Sequence, residues 1–411
     1  MTPIVTRQTS LRAVAAATLV LLLSAPTVVA GDPDPVQTLA IAPEGASLRV
    51  SDAGSDHDST IAVAWQLDRD SGPRSFVRWS RDGGETFAPQ EKLNAGGGGA
   101  YGPQVAVCDD SIWAVSTSPS DSQVVIDAWA FPSAGPPEGG QVTIGTGVGG
   151  DVGCLGFWIA VAWFDTSTSP SHLRLRVYLR PDPDDFAFHF IREFDLGPAR
   201  ASHGASVAVS AHGPDPSRWI HVAWMRGNDL RTKRIEAGIR GEGEIFFDKR
   251  PTMTLLHDPS VREPLLAAVD PRVALVYGRA GDVVLAVSEN HGRTFGAHTT
   301  IRAAPCTDCE AGYLAVNVDA DGPEVLIETF GGTFPCCGPG DNTVKGLGLL
   351  TVPGDALAGG PSHKYSSQAG ALFMHPDAEF GAAAEFWSND WNPTATHQRL
   401  RYRAWFLPCL C

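Results

Sequence analysis

Charge is scarce in this sequence. Only 19% of its 411 residues are Asp, Glu, Lys or Arg, against about 25% in ordinary globular chains. Basic residues are the scarcer sign, 31 against 46 acids, for a net charge of −15. A nucleic-acid partner needs a basic footprint to displace phosphate counterions, so no such partner is expected. Familiar catalytic signatures are missing too. The twelve His form no H-x-x-x-H pair, and there is no G-x-S-x-G elbow, Walker loop or dinucleotide fingerprint. No cofactor and no resident metal are expected from these patterns.

Long apolar runs are absent after residue 30, and a membrane span takes about 20 apolar residues. The run at the start, Ala13 to Leu23, is short for an anchor. It follows Arg7 and Arg12 and precedes the small residues Val28-Val29-Ala30. This is the layout of a secretory signal peptide, residues 1–30. No Cys follows the run, so a lipid anchor is not indicated. The expected mature chain, residues 31–411, loses two Arg and carries a net charge of −17. Its localisation is read as secreted, extracellular or periplasmic, and its eight Cys are read first as a disulfide inventory.

What the chain has in abundance is turn chemistry, 44 Gly and 31 Pro, beside a hydrophobic content of 43%. That content supports a sizeable core and argues against disorder. The Gly and Pro argue against a helix bundle. A short strand ending in an aromatic recurs: Ile61–Trp65, Ile159–Trp163, Ile220–Trp224, Val273–Tyr277, Val325–Phe330 and Ala382–Phe386. Ile112–Ser116 is a further copy that ends in Ser. The spacing is about 54 residues. Apolar strands precede several copies, and alternating strands such as Ser75–Trp79 and Asp282–Val287 follow them. Short strands at this period predict an all-β fold, a β-propeller of four-stranded blades in a single domain over 31–411. Seven blades are expected, with six as the alternative. The lone segment Val36–Ile41 is expected to complete the last blade and join the chain ends. A pair of β-sandwiches is the competing architecture.

Ser80-Arg-Asp82-Gly-Gly84-Glu-Thr86-Phe87 and Ser288-Glu-Asn290-His-Gly292-Arg-Thr294-Phe295 both fit S-x-[DN]-x-G-x-T-F. Both follow the third strand of their repeats. They resemble the Asp-box, or bacterial neuraminidase repeat, of sialidase-like propellers. The resemblance implies structural hairpins on the face away from the active site, and it does not by itself imply catalysis. Sialidases of that family use three Arg, a Tyr nucleophile with a Glu, and an acidic proton donor. Carried over, the resemblance points to Arg49, Arg69, Asp70, Tyr365 and Glu385. The sequence departs from the family in two ways. Arg49 lacks the Ile-Pro that usually follows, and no Arg lies between Arg302 and Arg399.

Loops after the second strands and the links between blades share one face of a propeller. Asp68, Asp165, Arg226, Asp229, Arg279, Asp390 and Trp391 fall there and are the candidate ligand-binding residues. A solvated, salt-bridged rim is the competing reading. Arg can hold a carboxylate by two hydrogen bonds, and Trp can stack on a sugar. An extracellular glycan or another small ligand is the expected partner, and an exo-glycosidase resembling sialidases is the alternative. Cys306, Cys309, Cys336 and Cys337 cluster in the sixth repeat, and two disulfides are expected there, with a thiolate metal site as the rival. Cys108 and Cys154 close the inner strands of adjacent repeats and are expected to bridge.

Overall fold

The computed structural model describes residues 37–43, 46–55, 60–94, 99–131, 137–180, 189–212, 217–241 and 243–302. Beyond these it describes the strands between 313 and 406. Residues 1–36 and the loops holding Cys306, Cys309, Cys336, Cys337, Tyr365, Asp390 and Trp391 lie outside this set. The described residues are strands and turns, with one 3₁₀ turn at Ala201–His203.

Every sheet is an antiparallel meander. The first contains Ser47–Ser55, Ile61–Asp68, Arg74–Ser80 and Glu91–Lys92. The second has seven strands, Tyr101–Cys108, Ser111–Thr117, Gln123–Ala130, Glu138–Leu155, Trp158–Asp165, His172–Leu179 and His189–Pro198. Its middle strand, Glu138–Leu155, ends one meander of four and begins the next. The third contains Ala205–Ala211, Arg218–Arg226, Asp229–Arg240 and Glu244–Lys249, with Met253–His257 also paired to Asp229–Arg240. The fourth contains Val261–Val269, Arg272–Arg279, Asp282–Ser288 and Thr299–Arg302. The fifth contains Tyr313–Val318, Pro323–Phe330, Lys345–Thr351 and Leu357–Gly359. The sixth runs Ala369–His375, Ala382–Asn389, Arg399–Phe406 and then Gln37–Ile41. Gln37 stands opposite Tyr402 and Ile41 opposite Arg399, so a strand from each end of the chain shares this sheet.

Each recurring apolar segment is the second strand of its meander. Such strands are buried on both faces, which is why they read as unbroken apolar runs. Their aromatics Trp65, Trp224 and Tyr277 are fully buried, and Trp163 nearly so. Ser116 fills the position where the second copy lacks an aromatic, and it is buried as well. The first strands touch one another in order, from Ser47–Ser55 through Tyr101–Cys108, Glu138–Leu155, Ala205–Ala211, Val261–Val269 and Tyr313–Val318 to Ala369–His375. The last of these touches Ser47–Ser55 again. Cys108 and Cys154, at the ends of two neighbouring first strands, are joined by a disulfide.

The two S-x-[DN]-x-G-x-T-F segments adopt the same hydrogen-bonded turn. Ser80 Oγ accepts the N–H groups of Asp82 (3.3 Å) and Gly84 (2.8 Å), and Ser288 Oγ accepts those of Asn290 (3.3 Å) and Gly292 (2.9 Å). Asp82 Oδ1 takes the N–H of Thr86 at 2.9 Å, and Asn290 Oδ1 takes that of Thr294 at 2.8 Å. Gly84 and Gly292 have φ of 94° and 67°, where a side chain is strained. Phe87 and Phe295 pack against their cores. The first turn also holds the N-terminal strand, since Gln37 Nε2 donates to Gly84 O at 2.7 Å. Arg78 donates to Leu39 O, Phe87 O and Ala88 O.

Candidate rim site

Backbone hydrogen bonds tie the second-to-third-strand hairpins to the links between sheets. Ala199 N donates to Ser171 O (2.8 Å), Arg200 N to Met225 O (2.9 Å) and Asp258 N to Asn228 O (2.7 Å). Hairpins and links therefore share one face, and the S-x-[DN]-x-G-x-T-F turns, at the far end of the third strands, lie on the other.

On this rim most of the sequence-predicted residues are held by local partners. Asp165 ends Trp158–Asp165 and accepts from Ser167 N (3.0 Å), Ser167 Oγ (2.5 Å) and Arg174 Nε (3.2 Å). Burial raises its carboxyl, but the bonds from Ser167 and the charge of Arg174 outweigh this and hold it below the usual carboxylate range. Arg174 also reaches Asp195 at 3.3 Å, and Asp195 orients His172 through Nδ1 at 3.0 Å. Asp229 opens Asp229–Arg240. Hydrogen bonds from His257 Nδ1 (2.6 Å) and Arg231 (2.9 Å) depress its carboxyl. Arg279 Nε meets Asp258 at 2.8 Å. Ser260, through its hydroxyl and its N–H, and then Arg279 bring the Asp258 carboxyl down to about 2. Asp68 accepts from the Gln66 amide, and Gln66 Oε1 accepts Gly102 N–H at 2.9 Å, which joins the first sheet to the second.

Two rim arginines are different. Arg226 is exposed at the tip of its hairpin, and its side chain has no hydrogen bond or ion pair among the described residues. Arg69 is half-buried, and its Nε has no hydrogen-bond partner among the described residues.

The structure brings only part of the sialidase-derived set into view. Arg49 stands opposite Gln66 on the adjacent strand, three positions before Arg69. Asp70 is exposed in the turn. Glu385 lies on Ala382–Asn389, opposite Leu372 and Arg403. Tyr365, Asp390 and Trp391 are outside the described residues. Sequence reasoning missed the partners Asp195, Asp258, His172, His257, Arg174 and Arg231. One signal for them was legible, because Asp165-Thr-Ser167 and Asp258-Pro-Ser260 are the same Asp-x-Ser turn on two sheets.

No family model matches the chain, and no curated protein matches it. Solved structures do. The Dos1 propeller matches at 9% identity with a TM-score of 0.48, covering 89% of this chain and 95% of that one. A neuraminidase-like protein from A/bat/Guatemala matches at 10% identity and 0.42, covering 75% and 88%. The fungal Aleuria aurantia lectin, a six-bladed β-propeller, matches at 10% identity and 0.41, covering 82% and 100%. Against a prolyl endopeptidase the chain spans about half of that chain's length, 46%. None of these similarities transfers a role to a residue.

Proposed function

We propose that the chain is a secreted β-propeller of seven blades that binds an extracellular glycan bearing an acidic group on its rim. The observation that carries the ligand reading is the pair Arg69 and Arg226. Among the described residues they have no carboxylate partner, on a rim where Asp165, Asp229 and Arg279 are already paired. A guanidinium without a partner is suited to a carboxylate or sulfate from a ligand. The ring reading is supported by the cyclic order of contacts among first strands and by the shared terminal sheet. The two S-x-[DN]-x-G-x-T-F turns are read as Asp-boxes, with their common hydrogen bonds in support. Export after residue 30 is supported by the Cys108–Cys154 disulfide, which suits an oxidising compartment. The same compartment favours disulfides over a metal at Cys306, Cys309, Cys336 and Cys337.

A second reading, an exo-glycosidase acting on terminal acidic sugars, draws on Arg49, which stands opposite Gln66 on the strand that leads into Arg69. A glycan array run beside a panel of fluorogenic glycosides separates the two. The binding reading expects retention of acidic glycans without hydrolysis, weakened about tenfold by Arg226→Ala or Arg69→Ala. Hydrolysis abolished by Tyr365→Phe supports the second reading instead, and neither binding nor hydrolysis overturns both.

A further inference from the structure

On the face opposite the rim, the second S-x-[DN]-x-G-x-T-F turn is fastened to the neighbouring third sheet. Arg234 and His221 stand opposite each other on adjacent strands of that sheet, and both reach the turn. Arg234 donates to Asn290 O at 3.4 Å and to His291 O at 3.1 Å. His291 N–H donates to Pro271 O at 2.6 Å, which ties the turn to its own sheet. His221 lies beneath the turn and is 3% exposed. Its Nε2 is hydrogen-bonded to Ser210 Oγ at 3.1 Å, and a Cβ on Gly292 would stand 3.2 Å from its Nδ1. Only a residue without a side chain lets the turn close over this ring. Further out, the Trp219 ring meets His212 at 4.7 Å, His291 at 6.0 Å and the Arg234 guanidinium at 4.8 Å. The His212 and His291 rings are 5.4 Å apart.

Acids reach only the outer imidazoles. Asp270 lies 2.8 Å from His291 Nδ1, and Glu236, which also pairs with Arg250, lies 3.6 Å from His212 Nε2. Among the described residues no carboxylate is paired with His221, and the charged group opposite it is Arg234. We propose that this contact is an acid-released clasp, in which protonation of the buried His221 beside Arg234 frees residues 290–292 of the turn from the third sheet. A buried cation without an acid is costly, and a second cation beside it adds repulsion. An opened turn lets water reach the imidazolium and removes that cost.

The sign follows from proton counts. Burial first, and then Arg234 and His291, bring the closed-state His221 imidazole down to about 3, whereas an opened one takes its proton near the ordinary 6.5. The closed state binds fewer protons between these values. The clasp is therefore at full strength above about pH 6.5 and weakens as pH falls, by up to about tenfold in its closing equilibrium per pH unit. The other charged groups around it do not supply the missing acid. Ala205–Ala211 has none, and the strand of His221 carries only Arg218 and Arg226, at its ends. On Asp229–Arg240, Glu236 shares the face of Arg234, while Arg231 and Lys233 alternate to the other face. The fourth sheet brings Asp270, Arg272, Glu289, His291 and Arg293 to this end, with Arg272 paired to Glu289 at 3.0 Å. Its Tyr277 is bonded to His298, and Arg262, Glu263 and Arg279 stand at the rim end.

Hydrogen exchange of the whole protein, read by mass spectrometry at about pH 7 and about pH 5 and corrected for intrinsic rates, tests this. Residues 288–296 are expected to lose about tenfold or more in protection at the lower pH. The first turn, residues 80–87, is the internal control. It has the same hydrogen bonds, and Asp82, held below its ordinary value, stays ionised there, so its protection is expected to hold. His221→Gln is neutral at both pH values, can still bond Ser210 Oγ, and is expected to abolish the loss at residues 288–296. His221→Leu, which gives up that bond, is expected to do the same from a lower starting protection. Equal protection of residues 288–296 at the two pH values in the unaltered protein overturns the proposal, as does an equal loss at both turns. A loss that persists in the His221 variants overturns His221 as the trigger.

Discussion

At the residue scale, the informative positions break a local pattern. Ser116 sits where its counterparts are Trp, Tyr or Phe, and its buried hydroxyl has no hydrogen-bond partner among the described residues. A buried hydroxyl without a partner costs stability. Ser116→Ala is therefore expected to raise stability by about 1 kcal/mol, measurable by urea unfolding, and a loss of stability would show that Ser116 has a partner. The Asp82 and Asn290 turns make a similar point. Thr86 Oγ1 donates to Asp82, whereas Asn290 Nδ2 donates to Thr294 Oγ1, so the side-chain bond survives with its donor reversed. Asp82→Asn is expected to leave the thermal midpoint nearly unchanged near pH 7, and Asp82→Ala to lower it. Burial raises the Asp82 carboxyl, but bonds from Ser80 and Thr86 prevail and lower it. Its contribution is then present above the ordinary carboxylate value and lost as pH falls through the lowered one. The gap between Asp82→Ala and wild type is thus expected to narrow in acid.

At the element scale, the first strands are set by bulges and by glycine. Gly153→Ala would put a methyl 2.6 Å from a backbone oxygen, whereas Gly54→Ala meets one at 3.2 Å. Both oxygens belong to packed strands that move only at a cost. Gly153→Ala is expected to destabilise clearly more than Gly54→Ala, and the reverse order in denaturant midpoints would contradict these two backbone approaches. The disulfide ties the ends of two of these strands across a separation of 46 residues. Replacing Cys108 and Cys154 together with Ser is expected to cost ~2–4 kcal/mol. Element identity was legible in sequence because second strands are apolar throughout and third strands alternate, as in His172–Leu179. The bulges were not legible, since an extra residue in one strand is defined only against its partner's register.

At the scale of the whole molecule, the N-terminal strand Gln37–Ile41 unites features that the sequence scatters. It pairs with Arg399–Phe406, hands Leu39 to the core under Leu48 and Trp65, and is held by Gln37 and Arg78 to the first S-x-[DN]-x-G-x-T-F turn. A chain shortened to begin after Ala42 is expected to lose thermal stability and to expose the edge of Arg399–Phe406, seen as a lower midpoint and a greater tendency to associate. If the shortened chain is equally stable and monomeric, the shared sheet is not what holds the ends together.

The sequence by itself determined the strand-rich class, the period of the repeats, the two matching turns and the pairing of Cys108 with Cys154. These depend on residue type and spacing within one repeat or between neighbours, and the hydrophobic pattern records them directly. Tertiary structure decided which charges are paired among the described residues. Asp165, Asp229 and Arg279 looked like Arg69 and Arg226 in sequence, yet their partners Arg174, His257 and Asp258 come from adjacent strands or links. It also decided that Asp52 and Asp151, ninety-nine positions apart in the chain, each accept a backbone N–H from the next first strand. A charge is neutralised, or a carboxyl keeps its proton, according to what stands within a few ångströms, and that neighbourhood exists only once the sheets have packed.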